Sequence, residues 1–253
     1  MWGITMGFLV LCFDDGHLET YTTAYPMLTK YNLVGVVGII TAYAGACWRD
    51  WTNEGCWDFQ LATLSQLLEM RSSGWEMVSH SLTHSPYDWI LRPENNREYL
   101  DMSLRESRDW IVRNRLGDGR TFIYPFGATP GKVSEIVKKY YWLARTTEHG
   151  PPNAYHDLPL DSHQRYRLAS YAVEHPVSTE SLAEIRKRVR YAIEEPALMT
   201  LTFHRITDQP RIWDIRLEEL ETILDIIAEE GAQTSTFERV IEQVWGRENR
   251  TNI

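Results

Sequence analysis

The sequence predicts an α/β fold in which a parallel sheet is closed or wrapped by helices. Three observations carry that reading. Short apolar runs alternate with longer amphipathic stretches, the pattern of strands that return through crossover helices. The length, 253 residues, is ordinary for one α/β barrel. The residues best suited to chemistry fall at or just after the ends of apolar runs, where such barrels gather their active sites.

The first apolar run, 7–13, leads into Asp14-Asp15-Gly16. Further strands are expected at 33–40, 75–79, 121–125, 141–145, 167–173 and 198–204, with a short piece near 232–235. Helices are expected at 19–31, 59–73, 93–116, 130–140, 179–194, 216–230 and 236–246. Over 59–73 the apolar residues recur at helical spacing, and Gly74 follows as a stop. Leu217, Leu220, Ile223, Leu224, Ile227 and Ala228 form a similar core-facing stripe. The segment 148–163 reads as a long loop, and no linker or repeat divides the chain, so a single domain over 1–253 is expected.

Composition narrows the function classes. Hydrophobic residues at 43% and charged residues at 24% support a sizeable core and argue against disorder. The balance of 26 basic against 35 acidic residues, net −9, lacks the basic field that nucleic acid or an anionic membrane needs. No run approaches the ~18 apolar residues of a membrane-spanning helix. Residues 2–13 lack the basic start and small-residue cleavage site of a signal peptide and read as the first strand. Cytoplasmic and exported locations both stay open, as does the oligomeric state. Cys12 reads as a small buried hydrophobe, whereas Cys47 and Cys56 flank a Trp-rich segment and could pair under oxidising conditions. Of the ten tryptophans, those in 47–57 are candidates for a sugar-stacking groove or for burial in a folded loop.

Asp14 and Asp15 follow a strand, and a turn at Gly16 can bring both carboxylates to one cavity. His80 and His84 are four apart, a spacing that on a helical turn lets two imidazoles grip one ion. Two imidazoles and one carboxylate make a common zinc set with an open coordination position; whichever aspartate is not a ligand is free to act as a base. His204 ends the run 198–203, where a histidine facing a cavity suits a general acid. Tyr124-Pro125-Phe126-Gly127 is a tight turn able to aim a backbone N–H at a developing oxyanion. Histidines 149, 156, 163 and 175 receive no role.

Taken in order, Phe13-Asp14-Asp15-Gly16, His80-Ser81-Leu82-Thr83-His84, Tyr124-Pro125-Phe126-Gly127 and Leu201-Thr202-Phe203-His204 resemble the motif set of the polysaccharide deacetylases, the NodB-homology group of carbohydrate esterase family 4. The resemblance covers roughly residues 7–240. It implies a distorted (β/α)7 barrel and a metal-dependent hydrolase. It implies Asp14 as catalytic base, Asp15, His80 and His84 as metal ligands and His204 as general acid. Leu201 would line the pocket for the acetyl methyl, and Tyr124 and the Phe126 backbone N–H would belong to the substrate and oxyanion region. One divalent ion is implied, zinc first, with cobalt, manganese or nickel as alternatives. The implied reaction removes N-acetyl groups from an N-acetylglucosamine-containing glycan, by attack of a metal-activated water. Alternatives are an O-acetyl xylan esterase, a hydrolase of a non-glycan amide, or a catalytically silent glycan-binding module.

Two departures from the family pattern stand out. Ile123 occupies the position where the third motif often carries an arginine partner for the catalytic aspartate, and Arg145 is a substitute by position. The acidic motif that tunes the acid histidine is not recognisable, with Asp157 and Asp161 as nearby candidates.

Overall fold

The computed structural model describes residues 7–52, 55–85, 97–127, 133–147, 155–157 and 164–246, with 50–52, 55–58 and 155–157 as backbone only. Its strands are β1 Phe8–Phe13, β2 Val36–Ile39, β3 Cys47–Thr52, β4 Gly55–Gln60, β5 Glu76–Ser79, β6 Thr121–Ile123, β7 Leu143–Arg145, β8 Tyr155–Asp157, β9 Tyr171–Ala172 and β10 Ala197–Phe203. Its α-helices are α1 Tyr25–Lys30, α2 Leu64–Ser72, α3 Arg97–Arg113, α4 Ser134–Val137, α5 Thr179–Glu194, α6 Leu217–Glu229 and α7 Phe237–Trp245. A π-helical turn, Thr20–Ala24, runs directly into α1.

The main sheet runs in the order β7-β6-β5-β2-β1-β10-β8, with β9 also on β10. All of these pairings are parallel except β10 with β8. The expected strand 167–173 forms the join between the two ends of the parallel array. Leu168 bridges to Arg145 of β7, while Tyr171 and Ala172 pair with Leu201 and Thr202 of β10. The piece near 232–235 reduces to one bridge, Thr234 beside Leu9.

Alternation along the strands sorts side chains into two layers. Phe8, Val10 and Cys12 of β1, with Val36, Val78, Ile123, Leu143 and Leu198, fill the interior, plugged by Phe237, Val240 and Ile241 of α7. Leu9, Leu11 and Phe13, with Met199, Leu201 and Phe203, face the helices α2, α5 and α6. Every residue of β1 and of β10 is buried, which is why both read as continuous apolar runs rather than as alternating ones. Among the described residues no helix is long and apolar enough to cross a membrane.

Three expectations need correction. The helix expected from 59 begins at 64, because Phe59 and Gln60 close β4. Thr63 then caps α2 through a box in which its hydroxyl accepts from the Gln66 N–H, while the Gln66 side chain accepts from the Thr63 N–H at 2.8 Å. The Trp-rich segment is a β-hairpin, with Cys47 opposite Gln60 and Cys56 opposite Trp51. That places the two cysteines four positions out of register, about 13 Å along the strands, beyond disulfide reach; Cys47 is a free thiol. The long loop 148–163 contains a short strand, β8.

Candidate active site

Strand register collects the chemistry on one rim. Phe13 pairs with Phe203, and the Asp14 N–H donates to the Phe203 carbonyl at 2.8 Å, so Asp14 and His204 leave adjacent strands side by side. The His80 N–H donates to the Ile39 carbonyl at 2.9 Å as the chain leaves β5. Arg145 is the last residue of β7 and pairs with Ile123 at the end of β6. Between them Gly38 keeps the floor clear: a Cβ there would meet Ile123 Cδ1 at 2.9 Å and Asp14 Oδ1 at 3.6 Å.

Asp14 is buried and held by a buried arginine. Arg145 Nη2 donates to Asp14 Oδ2 at 2.5 Å, and Nη1 donates to Ser170 Oγ at 2.9 Å and Thr202 Oγ1 at 2.8 Å. Arg145, like Leu143 two residues earlier, faces the barrel interior, which is how a strand-end arginine reaches across to β1. The departure at Ile123 therefore has a structural answer, since the arginine partner of Asp14 arrives from β7. Burial pushes the Asp14 carboxyl up, but the Arg145 guanidinium, with His80 and His204, outweighs it and leaves the group below its ordinary value. Cys12 is buried as expected, and its thiol contacts Asp14 Oδ1 at 3.5 Å.

The second carboxylate has different company. Asp15 Oδ1 lies 3.4 Å from His80 Nε2 and 3.6 Å from His84 Nε2. His80 Nδ1 meets the Ile123 carbonyl at 2.9 Å, a group that only accepts, so Nδ1 donates there and the ring turns its Nε2 edge toward Asp15. Oδ1 of Asp15 is itself buried without a hydrogen-bond partner. A carboxylate oxygen and two imidazole nitrogens converge on one point, an arrangement that a cation seated between them would satisfy. These three residues are a cluster with one ligand atom each, all within 4.8 Å of one another, and the donor set suits a divalent ion. Burial pushes Asp15 up, yet the surrounding imidazoles of His17, His80 and His84 hold it well below the usual carboxylate range.

The two histidines do not share a helical turn, as their spacing suggested. Residues 80–85 are irregular, and Ser81 and His84 both take left-handed φ, 69° and 54°. The Ser81 hydroxyl accepts from the His84 N–H at 3.0 Å, closing a turn that brings the rings to 4.7 Å between centroids. Of the six non-glycine residues with left-handed φ among the described residues, four (Asp15, Ser81, His84 and Phe126) stand at this site.

His84 makes the site acid-sensitive. Burial pushes its ring down from 6.5 to about 3, and Asp15 opposes this only in part. The unfolded chain takes up that proton first, so stability is intact above 6.5 and falls as the pH drops toward about 3. In metal-free protein, urea unfolding is expected to lose up to about 1.4 kcal/mol per pH unit below that point. His84→Asn is expected to flatten the slope between about pH 6.5 and pH 5; equal slopes in both proteins would refute the burial argument.

Other sequence-selected residues fare differently. Phe126 has φ 58°, its ring lies 4.2 Å from that of His84, and it is 40% exposed. The Gly127 N–H of the same turn donates to the Tyr124 carbonyl at 3.2 Å. Tyr124 needs correction as a substrate residue, because its ring is buried with Phe122, Leu100, Leu104 and Val137 under α3 and α4. Leu201 needs correction too. It faces the helix layer, while its neighbour Thr202 faces the interior and binds Arg145. His204 is half-buried, with Trp213 at 6.3 Å between ring centroids. Asp157 pairs with Ala197 at the far end of β10, about 20 Å along the strand from His204, so it cannot orient that ring. Asp161, His149 and His163 lie outside the described residues. His175 Nδ1 contacts a Glu219 carboxylate oxygen at 3.0 Å.

Sequence reasoning passed over His17 and Trp213. His17 Nε2 lies 3.3 Å from Asp15 Oδ2. Its position two residues after a ligand, across a glycine, was the available signal. Trp48 of the hairpin is buried with its ring 5.2 Å from that of His84, so it walls the site rather than lining an open groove. The side chains of Trp51 and Trp57 are outside the described residues.

The polysaccharide deacetylase family model matches residues 5–142, more than half of the 253. The chain belongs to the polysaccharide deacetylase family. This family member is similar to the poly-beta-1,6-N-acetyl-D-glucosamine N-deacetylase of Staphylococcus aureus strain MRSA252, at 27% identity over 135 residues. The corresponding enzyme of Staphylococcus epidermidis matches at 28% over 135 residues. Each alignment covers 50% of this chain and 43% of the relative, so the match spans less than half the length of these curated relatives. In fold, the chain is similar to a family 4 carbohydrate esterase from Streptomyces lividans, with TM-score 0.56, 14% identity and 91% and 92% of the two chains covered. A deacetylase from Streptococcus pyogenes gives TM-score 0.53 at 22% identity over 69% and 68%. The curled sheet of seven parallel strands is the NodB-like distorted barrel.

Proposed function

We propose that the protein is a metal-dependent hydrolase that removes N-acetyl groups from an N-acetylglucosamine-containing glycan: a chitin-type oligomer, poly-N-acetylglucosamine or peptidoglycan. The observation that carries the reading is the convergence of Asp15 Oδ1 with the Nε2 atoms of His80 and His84, beside an Asp14 clamped by Arg145. Asp15, His80 and His84 would hold one divalent ion, zinc before cobalt, manganese or nickel. When bound, such an ion acts as a Lewis acid on an acyl oxygen and lowers the pKa of water.

The chain's own residues divide the remaining work. Asp14 is kept ionised by Arg145, and that contact fixes Oδ2 and leaves Oδ1 toward the floor of the site. It takes the proton of the attacking water. His204, half-buried at the neighbouring strand end, gives a proton to the leaving amine, which without it departs poorly. The Phe126 N–H helps to hold the oxyanion. Phe126 at 40% and Trp213 at 49% exposure offer apolar faces beside His84 and His204, suited to a sugar ring.

The test is acetate release by metal-loaded protein from chitooligosaccharides, poly-N-acetylglucosamine, peptidoglycan and acetylxylan. Release from at least one N-acetylated glycan is expected. Asp14→Asn and His204→Ala should each lower it by about 10²–10⁴-fold with metal retained. Full activity in Asp14→Asn would sink the base assignment. Release from acetylxylan alone would move the reading to an O-acetyl esterase. Sugar binding with no acetate released from any of the four would favour a silent module.

A further inference from the structure

His17 is the buried polar side chain at the rim that the reaction above leaves without a task. Its backbone forms an antiparallel bridge with Leu61, just beyond the hairpin. Its ring meets Phe59 edge-on, with centroids 5.0 Å apart and planes at 79°, and lies 6.5 Å from Trp48. The side chain is 4% exposed, and Nδ1 is buried with no hydrogen-bond partner among the described residues. The polar contact that remains is Nε2 with Asp15 Oδ2 at 3.3 Å.

That arrangement is costly if packing is all it serves. A buried nitrogen without a partner loses its hydration for nothing in return, and a phenyl ring would fill the same aromatic slot without that loss. The contact also divides the Asp15 carboxylate between two roles. Oδ1 faces His80 and His84, and Oδ2 faces His17. A carboxylate ligand held by its second oxygen presents the first in a fixed direction, the usual work of an outer-shell partner. His17 is outside the three-residue ligand cluster, which speaks against its being a fourth ligand.

We propose that His17 is a positioning residue of the metal site: clamped by Phe59 and Trp48 of the hairpin, it holds Asp15 Oδ2 so that Oδ1 stays aimed between His80 and His84. The hairpin thereby tunes metal affinity without supplying a ligand. This rests on the metal-site reading above.

The test uses the full chain and Zn2+ itself. Zinc affinity is measured by competition with a chromophoric chelator, and the ligand field by the visible absorption of the Co2+-loaded protein. His17→Phe keeps the ring volume but removes the nitrogen, and is expected to weaken zinc about 10–100-fold and alter the Co2+ bands. His17→Gln returns an N–H donor near the Nε2 position and is expected to recover most of that loss. Zinc affinity within about twofold of the parent in His17→Phe, with unchanged Co2+ bands, would overturn the proposal. So would X-ray absorption showing three imidazoles on the zinc. If His17→Phe does not fold, His17→Gln against the shorter His17→Asn decides: equal affinities overturn the proposal, and loss in His17→Asn alone supports it. A parent protein that binds no Zn2+ would instead overturn the metal reading, and this one with it.

Discussion

Arg145→Met is expected to cost about 3–5 kcal/mol of stability and to lower acetate release by at least about 10²-fold. Arg145 is fully buried, and its guanidinium serves three partners on three strands or loops: Asp14, Ser170 and Thr202. Its removal leaves the Asp14 carboxylate buried without its countercharge, which is the expensive way to break a buried pair. The carboxyl then responds to burial, rises from its depressed value, and is less available in the ionised form that catalysis needs. Two controls separate these effects. The double variant Arg145→Met with Asp14→Asn removes both charges, so it should regain much of the lost stability while remaining inactive. Arg145→Lys keeps a charge without the planar fork that reaches all three partners, and should regain only part of either. Urea unfolding and initial rates are the readouts. A loss below about 1 kcal/mol in Arg145→Met would show that the pair is incidental. Acidification has a definite sign here: because the Asp14 value is depressed from 3.8, its contribution is present above that pH and disappears as the pH falls below it.

Asp15→Ala is expected to abolish stoichiometric zinc binding and acetate release together, whereas Asp14→Asn should abolish release and keep the zinc. The two aspartates are adjacent in the chain but differ in every contact. Asp14 faces Arg145 and Cys12, and Asp15, turned by its left-handed φ of 72°, faces three imidazoles. Metal content after dialysis, measured beside activity, distinguishes a ligand from a base. Zinc retained at full affinity in Asp15→Ala would remove that residue from the ligand set.

Legibility of the fold in the sequence follows burial. β1 and β10 lie in the middle of a parallel array and are buried on both faces, so their apolar runs are continuous and their ends unmistakable. Those ends carry Asp14, Asp15 and His204, which is why the pattern of residues alone singles them out. The hairpin β3–β4 is opaque in the sequence because it lies outside the main sheet and its buried residues, Trp48 and Phe59, sit among charged and polar neighbours. Phe59 joins a helical pattern because it precedes α2 with no apolar break, and only the Thr63–Gln66 box marks the true start.

At the site, residue type and order are readable, but the direction of side chains is not. Leu201 and Thr202 are neighbours, and strand alternation sends only the second to the interior. Tyr124 and Ile123 divide in the same way, Tyr124 into the helix layer and Ile123 inward, with its carbonyl spent on His80. The partner of Asp14 is traceable to Arg145 by strand position alone, since the contact itself spans 131 residues of sequence. His17 escapes notice for the opposite reason: it is so close to Asp15 in the chain that it reads as part of the turn.

The most direct measurement is acetate release from an N-acetylated glycan by protein stripped with a chelator and then reloaded with one equivalent of Zn2+. Stripping should remove the activity, one equivalent should restore it, and the same treatment of Asp15→Ala should restore nothing. Acetate release that survives complete removal of metal, or that Asp15→Ala retains, would contradict a catalytic metal held by Asp15, His80 and His84.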